Sequence, residues 1–216
     1  MTATTLSFVH HFEAGSDPQA PPLLLLHGTG GDEHDLLPHG RAVAPGSALL
    51  APRGKVLERG MPRFFRRLAE GVLDEADLRH RAEELAGFVA EARGAYGLAA
   101  PIALGFSNGA NIAAAMLLLQ PQALAGAILL RAMVPLAEPP EARLPGARPD
   151  GTPVLLLSGA ADPIVPTANA SRLAAQLRAA GATVEHEVLP VGHGLSQADL
   201  TLARAWLARQ GRSLQA

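Results

Sequence analysis

The feature that most constrains this chain is the five-residue run Gly105-Phe106-Ser107-Asn108-Gly109. It follows the apolar stretch Pro101-Ile102-Ala103-Leu104 and opens the helix-like run from Ala110 to Gln120. Strand, Gly-x-Ser-x-Gly and helix in immediate succession are the context of a nucleophile elbow. A serine in such a sharp turn projects its Oγ above the sheet edge, where a base can reach it. Gly105 and Gly109 carry no side chains, so the incoming strand and outgoing helix can pass close together. The pattern alone also fits a glycine-rich turn with an incidental serine, so the decision falls to the rest of the chain.

Around the elbow, apolar runs suited to buried strands alternate with helical periodicity. Leu6 to Phe12 reads as a weak opening strand, Leu23 to Leu26 as a strand buried on both faces, and Ala48 to Ala51 as a third. The stretch from Lys55 to Val72 reads as irregular and basic. Asp74 to Arg93 is a helix: Leu78, Ala82, Leu85, Val89 and Ala92 recur at four- and three-residue steps, with Asp74 as N-cap and Gly94 beyond the end. Strands follow at Gly126 to Leu130 and Pro153 to Leu157, separated by a proline-rich surface loop over Leu136 to Gly151. Thr167 to Ala180 is a helix capped by Thr167 and ended by Gly181, and Thr183 to Leu189 is an edge or half-exposed strand. Ser196-x-x-Asp199 starts the last helix. The expected fold is α/β, a mainly parallel sheet with helices on both faces, as one domain over residues 1–216.

In such sheets ligands bind outside the carboxyl ends of the strands. Those ends carry His27, Pro52, Ser107, Met133, Asp162 and His193. A serine hydroxyl needs a base to take its proton and a third group to orient that base. Only His186 and His193 follow Ser107. His186 lies inside an alternating strand, whereas His193 sits in a glycine-flanked turn, so His193 is the candidate base. Asp162 ends its strand and is the candidate acid; Asp150 precedes that strand, and Glu185 and Glu187 lie within the next one. The oxyanion of acyl transfer needs backbone donors, each contributing roughly 3–4 kcal/mol. Asn108, opening the helix after the elbow, and Thr29, in the loop His27-Gly28-Thr29-Gly30-Gly31, are the candidates.

Composition excludes several other chemistries. The 216 residues are 48% hydrophobic and contain no cysteine, which removes disulfide and thiolate chemistry. A net charge of −2 gives no reason to expect nucleic acid or an anionic membrane as partner. The loop Gly28-x-Gly30 lacks the further glycine of a dinucleotide site, and no Gly-Lys-Ser/Thr follows it. His27, Asp32, Glu33, His34, Asp35 and His39 can each ligate a metal, yet they form no His-Glu-x-x-His and no triplet on one helix face. No metal and no cofactor is expected. Neither a signal-peptide pattern nor a membrane span of about 18 apolar residues is read, so the expected location is cytoplasmic.

From Leu23 to about Leu207 the chain resembles the α/β-hydrolase superfamily. Within it, the likeness is to the small phospholipase/carboxylesterase group, relatives of acyl-protein thioesterases, and most of all to bacterial esterases associated with hydroquinone resistance. The resemblance rests on His27 to Glu33, Pro52-Arg53-Gly54, Arg63-Phe64-Phe65-Arg66-Arg67, Gly105 to Ala110, Ala161-Asp162-Pro163-Ile164-Val165-Pro166 and Gly192-His193. It implies a serine esterase with Ser107 as nucleophile, His193 as base and Asp162 as acid, needing no cofactor, and it admits a homodimer. Asn108 stands where the thioesterase branch has Gln, which argues against protein depalmitoylation.

About twenty residues separate the strand ending near Leu130 from the one starting at Pro153, too few for a large cap domain. The expected pocket is therefore open, with Phe64 and Phe65 as a wall and Leu36, Met133 and Leu195 near other strand ends. Arg59, Arg63, Arg66 and Arg67 read as a solvated basic surface, or as a field that draws an anionic substrate. The expected reaction is hydrolysis of short- or medium-chain carboxylic esters, small-molecule substrates, through an acyl-enzyme. Thioesterase or lysophospholipase activity with the same triad is the near alternative, and a non-catalytic ligand-binding hydrolase fold the distant one.

Overall fold

The computed structural model describes residues 6–138 and 151–213. In chain order it begins β1 (His10–Glu13), β2 (Leu23–Leu26), α1 (Leu37–Val43), β3 (Leu49–Pro52), β4 (Val56–Glu58), β5 (Met61–Arg63), β6 (Arg67–Ala69), β7 (Val72–Leu73) and α2 (Glu75–Tyr96). It continues with β8 (Ile102–Phe106), α3 (Asn108–Leu119), β9 (Gly126–Leu130), β10 (Thr152–Gly159), α4 (Thr167–Ala179), β11 (Ala182–Leu189) and α5 (Gln197–Ser213).

Seven strands form one sheet in the order β1-β3-β2-β8-β9-β10-β11. Only β1 runs antiparallel, against β3; the other pairs are parallel. Because side chains alternate along a strand, the leucine run of β2 splits between two cores. Leu24 and Leu26 join α2, α3 and α4 on one face, with Leu85, Phe88, Met116 and Leu173. Leu23 and Leu25 join α1 and α5 on the other, with Leu37, Val43 and Trp206. A parallel sheet covered on both faces buries its inner strands completely, which is why the runs of β2, β3 and β9 are apolar throughout. Among the described residues no large cap stands over the sheet, and no helix is long and apolar enough to cross a membrane.

Chain order reverses between β2 and β8: after β2 the chain moves outward to β3, then returns to β8 on the other side. The crevice at that reversal is where open α/β sheets place their ligands. The loop after β2 and the turn after β8 both open into it.

Several local expectations change. Residues 55–72 form two hairpins, β4–β5 and β6–β7, rather than irregular chain. Asp74 does cap α2, accepting the Asp77 amide at 3.1 Å, but the helix runs past Gly94 to a left-handed C-cap at Gly97 (φ 66°). The extra turn is held by tertiary contact: Tyr96 stacks on Phe12 at 3.9 Å, and its hydroxyl meets His10 Nε2 at 2.7 Å. Thr167 is the first helical residue of α4 rather than its cap, which is Pro166. The expected proline-rich loop lies, over residues 139–150, outside the described residues.

Candidate active site

Ser107 sits at the carboxyl end of β8 with φ 51° and ψ −113°, a conformation that costs a non-glycine residue about 1–3 kcal/mol. The surroundings enforce it. The Ser107 amide donates to Leu130 O at 2.9 Å and its carbonyl accepts from Asn111 at 2.9 Å, which ties strand end to helix start. The flanking glycines are sterically required. A Cβ at Gly109 would stand 2.0 Å from Leu26 O, and one at Gly105 2.7 Å from Gly109 O. Hence α3 begins hard against β2 and β8, and the Ser107 side chain is left at the crevice.

His193 lies in the turn after β11, and its Nε2 is 2.9 Å from Ser107 Oγ. Its Nδ1 is 2.8 Å from Asp162 Oδ2. The Asp162 carboxylate exposes none of its surface, yet it is well supplied with donors. Ile164 and Val165 donate their amides to Oδ1 at 2.8 and 3.0 Å. Burial pushes the Asp162 carboxyl up, but the Val165 and Ile164 amides together with His193 outweigh it, and the group lies below the usual carboxylate range. An ionised carboxylate only accepts, so the imidazole proton resides on Nδ1 and Nε2 is free to accept from the serine hydroxyl.

The loop after β2 faces this line. Gly30 donates its amide to Pro62 O at 2.9 Å and Gly31 to Gly28 O at 3.2 Å, which bends residues 28–31 into a tight turn. Among the described residues neither the Thr29 amide nor the Asn108 amide donates a hydrogen bond. Both side chains are held by the segment after β4. Arg63 donates from Nη1 to the Thr29 hydroxyl, and the Asn108 carboxamide oxygen accepts the Phe64 amide at 2.7 Å. Beneath the loop, His27 is buried with Nδ1 2.6 Å from Gly28 O and Nε2 accepting the Gly54 amide at 3.0 Å. Burial, set against the smaller pull of Gly28 and the nearby acids, holds His27 below the usual imidazole range, so it stays neutral.

Of the five residues expected as an open pocket lining, Phe64 and Phe65 lie in the core. Phe65 is fully buried and Phe64 nearly so, in the same core layer as Phe88 and Ala110. They occupy the bend between β5 and β6, off any strand ladder, so adjacent side chains can both turn inward. Phe64 packs on the His27 ring at 4.7 Å. Leu36 is buried and Leu195 half-buried in the opposite layer, and Met133 is buried with its amide held by Asn111 at 2.9 Å.

The basic segment is equally altered. Arg63 is buried rather than solvated, Arg67 grips Glu58 at 2.8 Å, and Arg66 pairs with Asp74 at 3.0 Å. Most of its charge is neutralised within the fold.

Among the described residues no three His, Asp or Glu side chains are grouped to hold a metal. Instead Glu33 pairs with Arg53, and Asp32 accepts the His34 amide at 2.8 Å. A groove of about 630 Å³ lies at the opposite, amino ends of the strands, bordered by Phe12, Pro22, Tyr96, Leu98 and Pro121. Its lining has no serine, threonine or cysteine, and the Tyr96 hydroxyl there serves to hold His10; the Ser107, His193 and Asp162 side chains meet instead in the crevice.

Two site-related residues were not expected from the sequence: Arg131, directly after β9, and Asp199, in the first turn of α5. They form a fully buried ion pair at 2.8 Å beneath the His193 turn. Ser196-x-x-Asp199 reads as an ordinary helix start, and nothing local in the sequence points it at Arg131.

Residues 9–210 match the family model described as Phospholipase/Carboxylesterase. The chain is 44% identical over 199 residues to the hydrolase MhqD of Bacillus subtilis (strain 168), covering 91% of this chain and 96% of that protein. The crystal structure of the Bacillus cereus carboxylesterase superposes with a TM-score of 0.88 at 42% identity, covering 94% of each chain. A carboxylesterase from Mesorhizobium loti superposes at 0.86 with 32% identity, over 95% of this chain and 97% of that one. The chain thus belongs to the phospholipase/carboxylesterase family of the α/β-hydrolase superfamily, and it is a carboxylic ester hydrolase.

Proposed function

We propose that this enzyme hydrolyses carboxylic esters of short to medium acyl chain through an acyl-enzyme on Ser107. The observation that carries the reading is the continuous line from Asp162 Oδ2 to His193 at 2.8 Å and from His193 to Ser107 Oγ at 2.9 Å. His193 Nε2 takes the Oγ proton as Oγ attacks the carbonyl carbon, and returns it to the leaving alkoxide as the tetrahedral intermediate collapses. Water then enters, gives its proton to the same nitrogen and attacks the acyl-enzyme; Ser107 leaves reprotonated and the acid is released. Asp162, ionised and buried, holds the imidazole and offsets the positive charge it gains in each half. The Thr29 and Asn108 amides, unused within the described fold, are the candidate donors to the oxyanion.

The closed packing of Phe64, Phe65, Leu36 and Met133 favours the short end of the chain-length range, since a long acyl tail would have to displace core side chains. Two measurements test the proposal. A fluorophosphonate should label Ser107 in the wild type, and Ser107→Ala should abolish labelling and lower kcat roughly 10⁴-fold or more. Labelling at another residue would remove Ser107 from the mechanism. A graded panel of p-nitrophenyl esters and acyl thioesters should peak at short esters; a peak at long chains or at thioesters alone would overturn the substrate class.

A further inference from the structure

Arg131 leaves β9 with φ 58°, in the left-handed region that a non-glycine residue enters only under constraint. That turn drives its side chain below the loop carrying His193, where it is wholly buried. A guanidinium has five N–H donors, and here each has a destination. Nε donates to Gly192 O at 2.9 Å and Nη2 to Gly194 O at 3.1 Å. Nη1 donates to Leu157 O at 3.2 Å, and the remaining two bonds run side by side to Asp199 at 2.8 Å each. Asp199 in turn accepts the amide and hydroxyl of Ser196 at 2.8 and 2.7 Å, which anchors the chain just beyond the loop.

Two of the three carbonyls that Arg131 grips, those of Gly192 and Gly194, belong to the residues on either side of His193. With both turned into the core, the imidazole between them is left facing Asp162 and Ser107. Asp162 fixes the ring's tautomer and tilt, but it cannot fix where the backbone delivers the ring. Glycine on both sides of His193 leaves that backbone otherwise loose.

We propose that Arg131, held by Asp199, is a positioning residue for catalysis: it sets the height and direction from which His193 meets Ser107. It touches no reacting atom. The inference rests on His193 being the base in the mechanism above.

Its test must separate positioning from simple structural support. Removing one partner leaves a buried unpaired charge, so Arg131→Met or Asp199→Leu alone should lower the melting temperature sharply. The double variant Arg131→Met/Asp199→Leu removes both charges and should melt above either single variant. It nevertheless lacks donors for Gly192 and Gly194. Expected for the double variant is a kcat about 100-fold down, as for a misplacement near 1 Å, with KM nearly unchanged and fluorophosphonate labelling of Ser107 slowed in parallel. Loss of the downfield His193 Nδ1–H proton resonance should accompany it. A folded double variant with wild-type kcat, or one whose loss lies entirely in KM, overturns the inference.

Arg131→Lys supplies the test even if the double variant does not fold. It keeps the charge beside Asp199, but its three donors on a single nitrogen cannot serve the carboxylate and both separated carbonyls. Folded and with kcat reduced, it supports positioning; folded with full kcat, it refutes it. His193→Ala in the same assays isolates the underlying reading. If that variant keeps wild-type turnover, the base assignment fails; if it is inactive while the Arg131 variants are fully active, only the Arg131 inference fails.

Discussion

Single residues at this site work by exclusion as much as by contact. Gly109 has no role in the chemistry, yet a methyl group there would meet Leu26 O at 2.0 Å and His27 O at 2.6 Å. Gly109→Ala must therefore push α3 away from β2 and move the Asn108 amide with it. The expected outcome is a folded protein destabilised by about 1–3 kcal/mol, in the range of overpacked cores, with kcat falling and KM holding. Urea unfolding and steady-state kinetics check it; unchanged stability would show that the backbone yields without strain.

His27 shows the complementary logic. Its ring accepts one amide and faces one carbonyl, and it supports the loop of residues 28–31 only while neutral. His27→Ala leaves the buried Gly54 amide unpaired, a cost of about 1–3 kcal/mol.

At the scale of elements, α2 illustrates where pattern reading stops. Its apolar spacing and Asp74 cap are visible in the chain, and both hold in the structure. Its end is not, because Gly94 has the right composition for a stop while the true stop, Gly97, is set by Tyr96 docking on Phe12. Gly97 adopts φ 66° with open space around its Cα. Gly97→Ala should thus cost about 1–2 kcal/mol through backbone conformation alone and leave kcat/KM untouched. Thermal melts with parallel esterase assays test this, and a loss of activity would mean that α2 couples to the site.

The β4–β5 hairpin is the other instructive element. Its strands are three residues each, below the length at which alternation can be recognised, and their ladder is visible only in space. That hairpin and the residue directly after it nevertheless reach both candidate oxyanion donors, through Arg63 on Thr29 and the Phe64 amide on Asn108.

For the whole molecule, pH couples the site to stability. His27 and His186 are both held below the usual imidazole range, mainly by burial. In each the unfolded chain takes up a proton first as pH falls. Their contribution is therefore complete above about 6.5 and is lost as pH drops from there toward their folded values. Asp162, Glu33 and Glu58 have depressed carboxyl values, so their contributions persist lower and are lost only as pH falls below about 4. The melting temperature should decline in two stages on acidification, with a shallower first stage in His27→Ala. Equal slopes in that variant and the wild type between pH 7 and 5 would disprove linkage through His27.

Local rules on the sequence determined a great deal of this protein. Apolar runs specified buried parallel strands, and Gly-x-Ser-x-Gly between a strand and a helix specified the elbow. The order of Ser107, Asp162 and His193 at strand ends named three side chains that the fold brings within hydrogen-bond reach. Each of these is encoded by neighbours in the chain or by strand order. Tertiary structure alone decided what depends on distant partners. It turned Phe64 and Phe65 into the core, neutralised the arginines against Glu58 and Asp74, and set Arg131 against Asp199, 68 positions away, beneath His193. Burial and pairing are properties of the packed interior, and no window of sequence contains them.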